Sequence, residues 1–116
     1  MSEASCLFCR IVQGEIPAKI VHQDDRLLAL RDINPQAPTH LLIIPRTHVA
    51  SLNDLEPAHR EMLGDMHLLA GELARSEGIA EEGWRLVTNC GPGAGQSVFH
   101  LHVHLLGGRR LGWPPG

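Results

Sequence analysis

The chain has 116 residues, 43 % of them hydrophobic and 20 % charged, which is room for one globular domain over residues 1–116 and excludes a disordered or fibrous chain. A formal charge of −3 with no basic block argues against tracking a nucleic-acid backbone, and no apolar run approaches the ~20 residues a membrane span needs. Three cysteines, an odd number, without a signal-like N-terminus read as a reducing, cytoplasmic setting free of disulfides.

In chain order, residues 6–14 place Leu7, Phe8 and Ile11 at helical spacing and stop at Gly14, which predicts a short helix. Residues 19–23 and 26–31 read as strands around Asp24-Asp25. Asn34-Pro35-Gln36-Ala37-Pro38 forces an irregular loop, because two prolines suit neither a helix nor an interior strand. Residues 40–45 follow as a buried strand closed by Pro45. Over 56–77 the period becomes 3.6, with Met62, Met66, Leu69 and Leu73 on one stripe widened by Leu63 and Ala70. Pro57 fits the first turn and Gly78 the stop, and the stripe is core packing rather than a cofactor groove. Residues 84–89 and 99–106 read as two more strands. Five strands, one long helix and one short one, without βαβ alternation, predict an antiparallel α+β domain.

Chemistry concentrates in His100-Leu101-His102-Val103-His104-Leu105. On a strand the three imidazoles would share one face while Leu101, Val103 and Leu105 enter the core. Three histidines on one ion would be strained, since residues i and i+4 of a strand lie ~13 Å apart against metal–nitrogen bonds near ~2 Å. A nucleophilic middle imidazole with supporting neighbours fits the geometry better. Upstream, Asn89-Cys90-Gly91-Pro92-Gly93-Ala94-Gly95-Gln96-Ser97 could bring backbone N–H groups close to an anion. Together they point to attack at phosphorus. Separately, Cys6-Leu7-Phe8-Cys9 is a C-x-x-C pair, which outside a βαβ context suggests zinc with two further ligands.

The segment from Gly95-Gln96-Ser97 through the three histidines to Gly107-Gly108-Arg109 resembles the signature of the histidine triad (HIT) superfamily, in its Hint branch. Gly14-Glu15-Ile16-Pro17-Ala18-Lys19, the stretch from Asp32 to His40 and the ending Trp113-Pro114-Pro115-Gly116 agree with it. The resemblance implies a HIT-like fold whose five-stranded sheet continues across a two-fold homodimer. It implies a purine nucleoside phosphoramidase acting on AMP- or GMP-type substrates, with no cofactor required for catalysis. His102 would be the nucleophile, its ring held by the backbone carbonyl of His100, with His104, His40 and Ser97 assisting. Asp32 would accept the ribose hydroxyls, with Ile33, Phe8, Leu7, Ile11 and Leu30 around the base and Asn89, Gly95, Gln96 and Val98 at the phosphate. Zinc ligands would be Cys6, Cys9, His48 and His100. In the tail, residues 109–116, Trp113 would lie near the active site of the dimer.

Leu30 stands where the family pattern is often aromatic, so weaker base stacking is expected, and Cys90 stands where an acidic residue is common; neither change touches the triad. Arg109 and Arg110 read as solvated charges; His22, His59 and His67 receive no role, the last two as surface residues of the long helix. The alternatives are a dinucleoside polyphosphate hydrolase of the same superfamily, a nucleotide-binding module with little turnover, and a metal-dependent hydrolase.

Overall fold

The computed structural model describes residues 3–116; the first two residues of the expected domain lie outside this range. It contains strands β1 (Ile20–Gln23), β2 (Leu27–Arg31), β3 (Thr39–Pro45), β4 (Trp84–Val87) and β5 (Val103–Gly107). Its two α-helices are α1 (Leu7–Val12) and α2 (Arg60–Ser76). The strands form one antiparallel sheet in the order β1-β2-β3-β5-β4, as the α+β reading expects.

Alternation along the strands sorts side chains between two layers. On one face Leu27, Ala29, Leu41, Ile43, Leu101, Val103 and Leu105 pack under Met62, Met66, Leu69, Ala70 and Leu73 of α2. On the other, Leu28, Leu30, Leu42 and Ile44 meet Cys6, Phe8, Cys9 and Ile11 from α1 and its N-terminal cap. Strand β3 is buried on both faces, hence its continuous apolar run.

The long helix starts later than its periodicity suggests. Residues Pro57–His59 form a 3-10 turn, with Glu56 N–H donating to His59 Nδ1 at 2.9 Å, so His59 acts as a capping residue. Gly78, at φ +75°, ends the element in a conformation that glycine adopts without a Cβ penalty.

The last strand also differs from its reading, starting at Val103 rather than at residue 99. Its partner β3 ends at Pro45, which has no N–H for a ladder. The Pro45 carbonyl is taken by the His100 ring at 2.7 Å, and Leu101 N–H bonds Val49. Strand β4 stops at Val87, opposite His104, one pair short of the first residue of β5.

Candidate functional site

Although the strand starts late, the alternation holds: Leu101, Val103 and Leu105 enter the α2 core, and the histidines lie on the α1 face. The rings nevertheless part company. His102 donates from Nδ1 to the His100 carbonyl at 2.7 Å, which leaves Nε2 as its unprotonated nitrogen. Phe8 packs edge-on against the His102 ring at 5.0 Å and the His104 ring stands 5.0 Å away. His100 is 0 % exposed and, edge-on to Phe8 at 6.0 Å, directs its ring nitrogens into a second cluster. This orientation excludes one ion shared by all three histidines.

His104 belongs to a hydrogen-bonded chain. Gln36 N–H donates to His40 Nδ1 at 3.0 Å, so the proton of neutral His40 resides on Nε2. That atom lies 2.9 Å from His104 Nδ1 and 3.4 Å from Asp32 Oδ2. His104 thus accepts at Nδ1 and carries its own proton on Nε2. The site presents a bare nitrogen on His102 beside a protonated nitrogen on His104.

Burial keeps these rings neutral. It holds His102 below the ordinary histidine range, outweighing the His100 carbonyl and Asp32. His40 is lowered by burial against the pull of Asp32. His104 falls to about 4, by burial first and then by the neighbouring His102 and His40, with Asp32 opposing. Neutral imidazole at neutral pH is the form needed for nucleophilic attack.

The second cluster comprises Cys6, Cys9, His48 and His100. His100 Nδ1 lies 3.4 Å from both sulfurs and 3.2 Å from His48 Nδ1, which is 3.2 Å from Cys9 Sγ. A tetrahedral ion with bonds of ~2.0 Å to nitrogen and ~2.3 Å to sulfur needs nitrogen–nitrogen separations of roughly 3.3 Å and nitrogen–sulfur separations of roughly 3.5 Å. The donors fit. His100 Nε2–H is used on Pro45, which leaves the Nδ1 lone pair for an ion and supplies the outer hydrogen bond that metal-bound histidines require. Asp32, His40 and His104 also lie within 4.8 Å of one another, but the Gln36 N–H places the His40 proton on the nitrogen an ion would need. This trio is a hydrogen-bonded chain whose inner nitrogen is protonated rather than an open set of metal donors.

Other expected residues divide. Ser97 is exposed at the end of the glycine-rich loop, and Asn89 is half-buried. Gly91 and Gly95 adopt φ +86° and +92°. Gln96 instead braces that loop from within, accepting from Gly91 N–H and donating to the Ala50 and Val98 carbonyls. Its polar atoms are therefore committed inside the protein rather than presented to a phosphate. Asp32 accepts from Asn34 N–H through Oδ1 and borders a 640 Å³ cleft with Ile33, Lys19 and Arg31. Ile33 is 100 % exposed and Leu7 44 %, while Phe8, Ile11 and Leu30 are buried and Val98 packs beside them. Trp113, 82 % exposed, stands by Arg85 of β4 with 5.8 Å from guanidinium to ring. Arg85 opposes Leu106, two pairs beyond Val87 and His104, so the tail lies at the sheet edge rather than among the triad rings of its own protomer. Among the described residues Cys6, Cys9 and Cys90 take part in no disulfide. The Gln36 N–H escaped the sequence reading because any residue but proline can supply it.

The family described as HIT domain matches residues 13–111. The chain belongs to the HIT domain family. It is 51 % identical over 106 residues to the purine nucleoside phosphoramidase of Escherichia coli (strain K12), covering 91 % of this chain and 89 % of that protein. It is 48 % identical over 118 residues to a 14 kDa zinc-binding protein of Zea mays, covering 100 % and 91 %. Among solved structures, a HIT family hydrolase from Legionella pneumophila Philadelphia 1 superposes with a TM-score of 0.95 at 55 % identity, covering 97 % of this chain and 100 % of that chain. In this HIT chain no helix of the described residues is long and apolar enough to cross a membrane.

Proposed function

We propose that this chain hydrolyses purine nucleoside 5′-phosphoramidates at the P–N bond through a covalent nucleotidyl-histidine intermediate. The observation that carries the reading is the opposed proton placement on His102 and His104. His102 Nε2 attacks phosphorus as the P–N bond of the N-protonated phosphoramidate breaks, and the amine leaves neutral while His104 Nε2–H donates a hydrogen bond at the leaving side. Water then attacks the nucleotidyl-histidine and the N–P bond to His102 breaks, returning that ring to its neutral form; one water proton stays on the nucleoside monophosphate and the other passes to the released amine. The hydrogen-bonded chain through His40 and Asp32 keeps His104 in the tautomer that donates at the leaving side.

Asp32, an acceptor beside the cleft with Ile33, would hold the ribose hydroxyls, and Ser97 with the Gly95 loop would hold phosphate oxygens. The name of the Escherichia coli relative, purine nucleoside phosphoramidase, supports the substrate class. Cys6, Cys9, His48 and His100 would hold zinc, in keeping with the Zea mays relative's name. When bound, that ion supplies a structural cross-link between the N-terminal helix and the segment before β5. The reading also includes a cytoplasmic homodimer, binding neither membrane nor nucleic acid, with Trp113 from the tail completing substrate choice.

The test compares hydrolysis of adenosine 5′-phosphoramidate and diadenosine tetraphosphate, each with and without EDTA, in wild type and His102→Asn. Phosphoramidate turnover is expected to survive EDTA and to fall at least ~10⁴-fold in the variant. Preference for the tetraphosphate would move the chain to that branch of the superfamily. Loss of turnover in EDTA with the fold intact would bring the ion into the chemistry, and silence on both substrates would leave a binding module.

A further inference from the structure

The loop before β3 holds the one group that decides the His40 tautomer, yet its own strand ladder begins only at Thr39. What positions Gln36 comes from the other end of the chain. Arg109, expected to be a solvated charge, donates from Nε to the Gln36 carbonyl at 3.0 Å, while Gln36 N–H donates to His40 Nδ1 at 3.0 Å. Beside it Gly108, at φ +88°, lies so close that a Cβ there would stand 2.9 Å from Pro38 Cβ. The turn leaving β5 therefore grips the loop at two points, a hydrogen bond at Gln36 and a close contact at Pro38.

We infer that Gly108 and Arg109 form a positioning clamp, which holds the Gln36 peptide against His40 and thereby sets the proton direction along His40 and His104. The inference rests on the proposed use of His104 Nε2–H as hydrogen-bond donor at the leaving side, and it adds residues placed outside the reacting groups. Its physical content is directional. With Gln36 N–H fixed at Nδ1, His40 can only offer its Nε2 proton to His104. If the loop drifts, water can accept at Nδ1, the other tautomer of His40 becomes available, and His104 loses the donor that fixes its own proton. Strand β5 thus supplies His104 and, in the next turn, the brace for the residue that orients it.

The experiment uses Arg109→Ala, Arg109→Lys and Gly108→Ala in the full chain. Long-range ¹H–¹⁵N correlations of the imidazoles above pH 7 read the His40 tautomer, hydrogen exchange reads the Gln36 amide, and steady-state kinetics use adenosine 5′-phosphoramidate. Wild type is expected to show a single Nε2–H tautomer at His40 and a protected Gln36 amide. Arg109→Ala and Gly108→Ala are each expected to mix the tautomers and to speed Gln36 exchange about tenfold. In both, kcat should fall about threefold to tenfold at unchanged KM, the size of one lost hydrogen bond. Arg109→Lys, which keeps the charge but moves the donor, should recover kcat only in part.

An unchanged His40 tautomer and Gln36 exchange in both Arg109→Ala and Gly108→Ala would overturn the clamp whatever the kinetics. So would a loss confined to KM that lysine restores, since that would make Arg109 a charge for the substrate. If the wild type is silent on the phosphoramidate while the two spectroscopic signatures move as expected, the substrate reading fails and the clamp stands. Backbone amide spectra of the sheet show that each variant is folded.

Discussion

Two imidazole clusters lie on the same side of one sheet and are built from similar parts, yet their hydrogen-bond partners give them different chemistry. In the cluster of Cys6, Cys9, His48 and His100, the outer nitrogen of His100 spends its proton on the Pro45 carbonyl, so the inner nitrogen faces two sulfurs and a second imidazole. In the trio of Asp32, His40 and His104, a backbone N–H occupies the outer nitrogen of His40 and forces the proton inward. One carbonyl and one amide separate a set of metal-ready donors from a hydrogen-bonded chain with its proton held inward. Residue type alone does not decide whether a histidine ligates or donates a hydrogen bond; the group behind the ring does. His100 joins the two regions, since its ring serves the first and its carbonyl accepts from His102, whose ring stands 5.0 Å from that of His104 in the second.

The sharpest way to break this comparison is to damage each cluster and measure both properties. Replacing the Nε2–H donor, His104→Asn, is expected to lower phosphoramidate turnover about 10²-fold, the usual worth of a hydrogen-bond donor placed at the transition state, while leaving bound zinc at its wild-type amount by atomic absorption. Cys6→Ala should do the reverse, abolishing zinc retention at a much smaller cost in turnover. A Cys6→Ala variant that loses as much activity as His104→Asn would show that the two clusters work as one machine.

Stability offers the next separation. An ion that binds only the folded chain stabilises it by about 2.7 kcal/mol at a free concentration a hundredfold above its Kd, which for a chain of this size raises Tm on the order of 10 °C. Zinc is therefore expected to raise the Tm of wild type and His40→Asn alike and to leave His48→Ala unmoved, as read by thermal denaturation with and without EDTA. Loss of the zinc response in His40→Asn would place the ion in the trio instead.

How much of this arrangement could be read beforehand depended on how local its causes are. The alternation of Leu101, Val103 and Leu105 with the histidines follows from strand geometry and held even though β5 starts at Val103. The late start is a non-local effect, in which Pro45 ends the partner strand and its carbonyl captures the His100 ring. The cysteine pair announces itself by spacing, whereas His48 and His100 enter through family resemblance, because no local pattern brings residues 39 and 91 positions from Cys9 together with it. Gln96 was misleading for a related reason: its place in the signature suggested a ligand, and its side chain is consumed in bracing the loop. Contacts made by backbone groups, such as Gln36 with His40, leave no mark in residue identity at all.

The smallest effect concerns acid stability, and it separates the buried rings from the surface charges. His104 is held at about 4 by burial, aided by His102 and His40, against an ordinary value near ~6.5 in the unfolded chain. Between these two values the unfolded chain binds more protons at this position than the folded one, so stability must decrease as pH falls from about 6.5 towards about 4. His40 and His102, lowered by burial as well, add to the loss in the same direction. Asp24 acts elsewhere: its hydrogen bonds with His22 and the Arg26 and Leu27 amides hold it at about 2, so its contribution is lost only below the ordinary carboxylate range. Thermal denaturation of the metal-free chain across pH 4 to 7 is expected to show a Tm falling by several degrees, with a shallower slope in His104→Asn. Equal slopes in the two proteins would mean that His104 is not held neutral by the fold, and the hydrogen-bonded chain would lose the proton placement on which it depends.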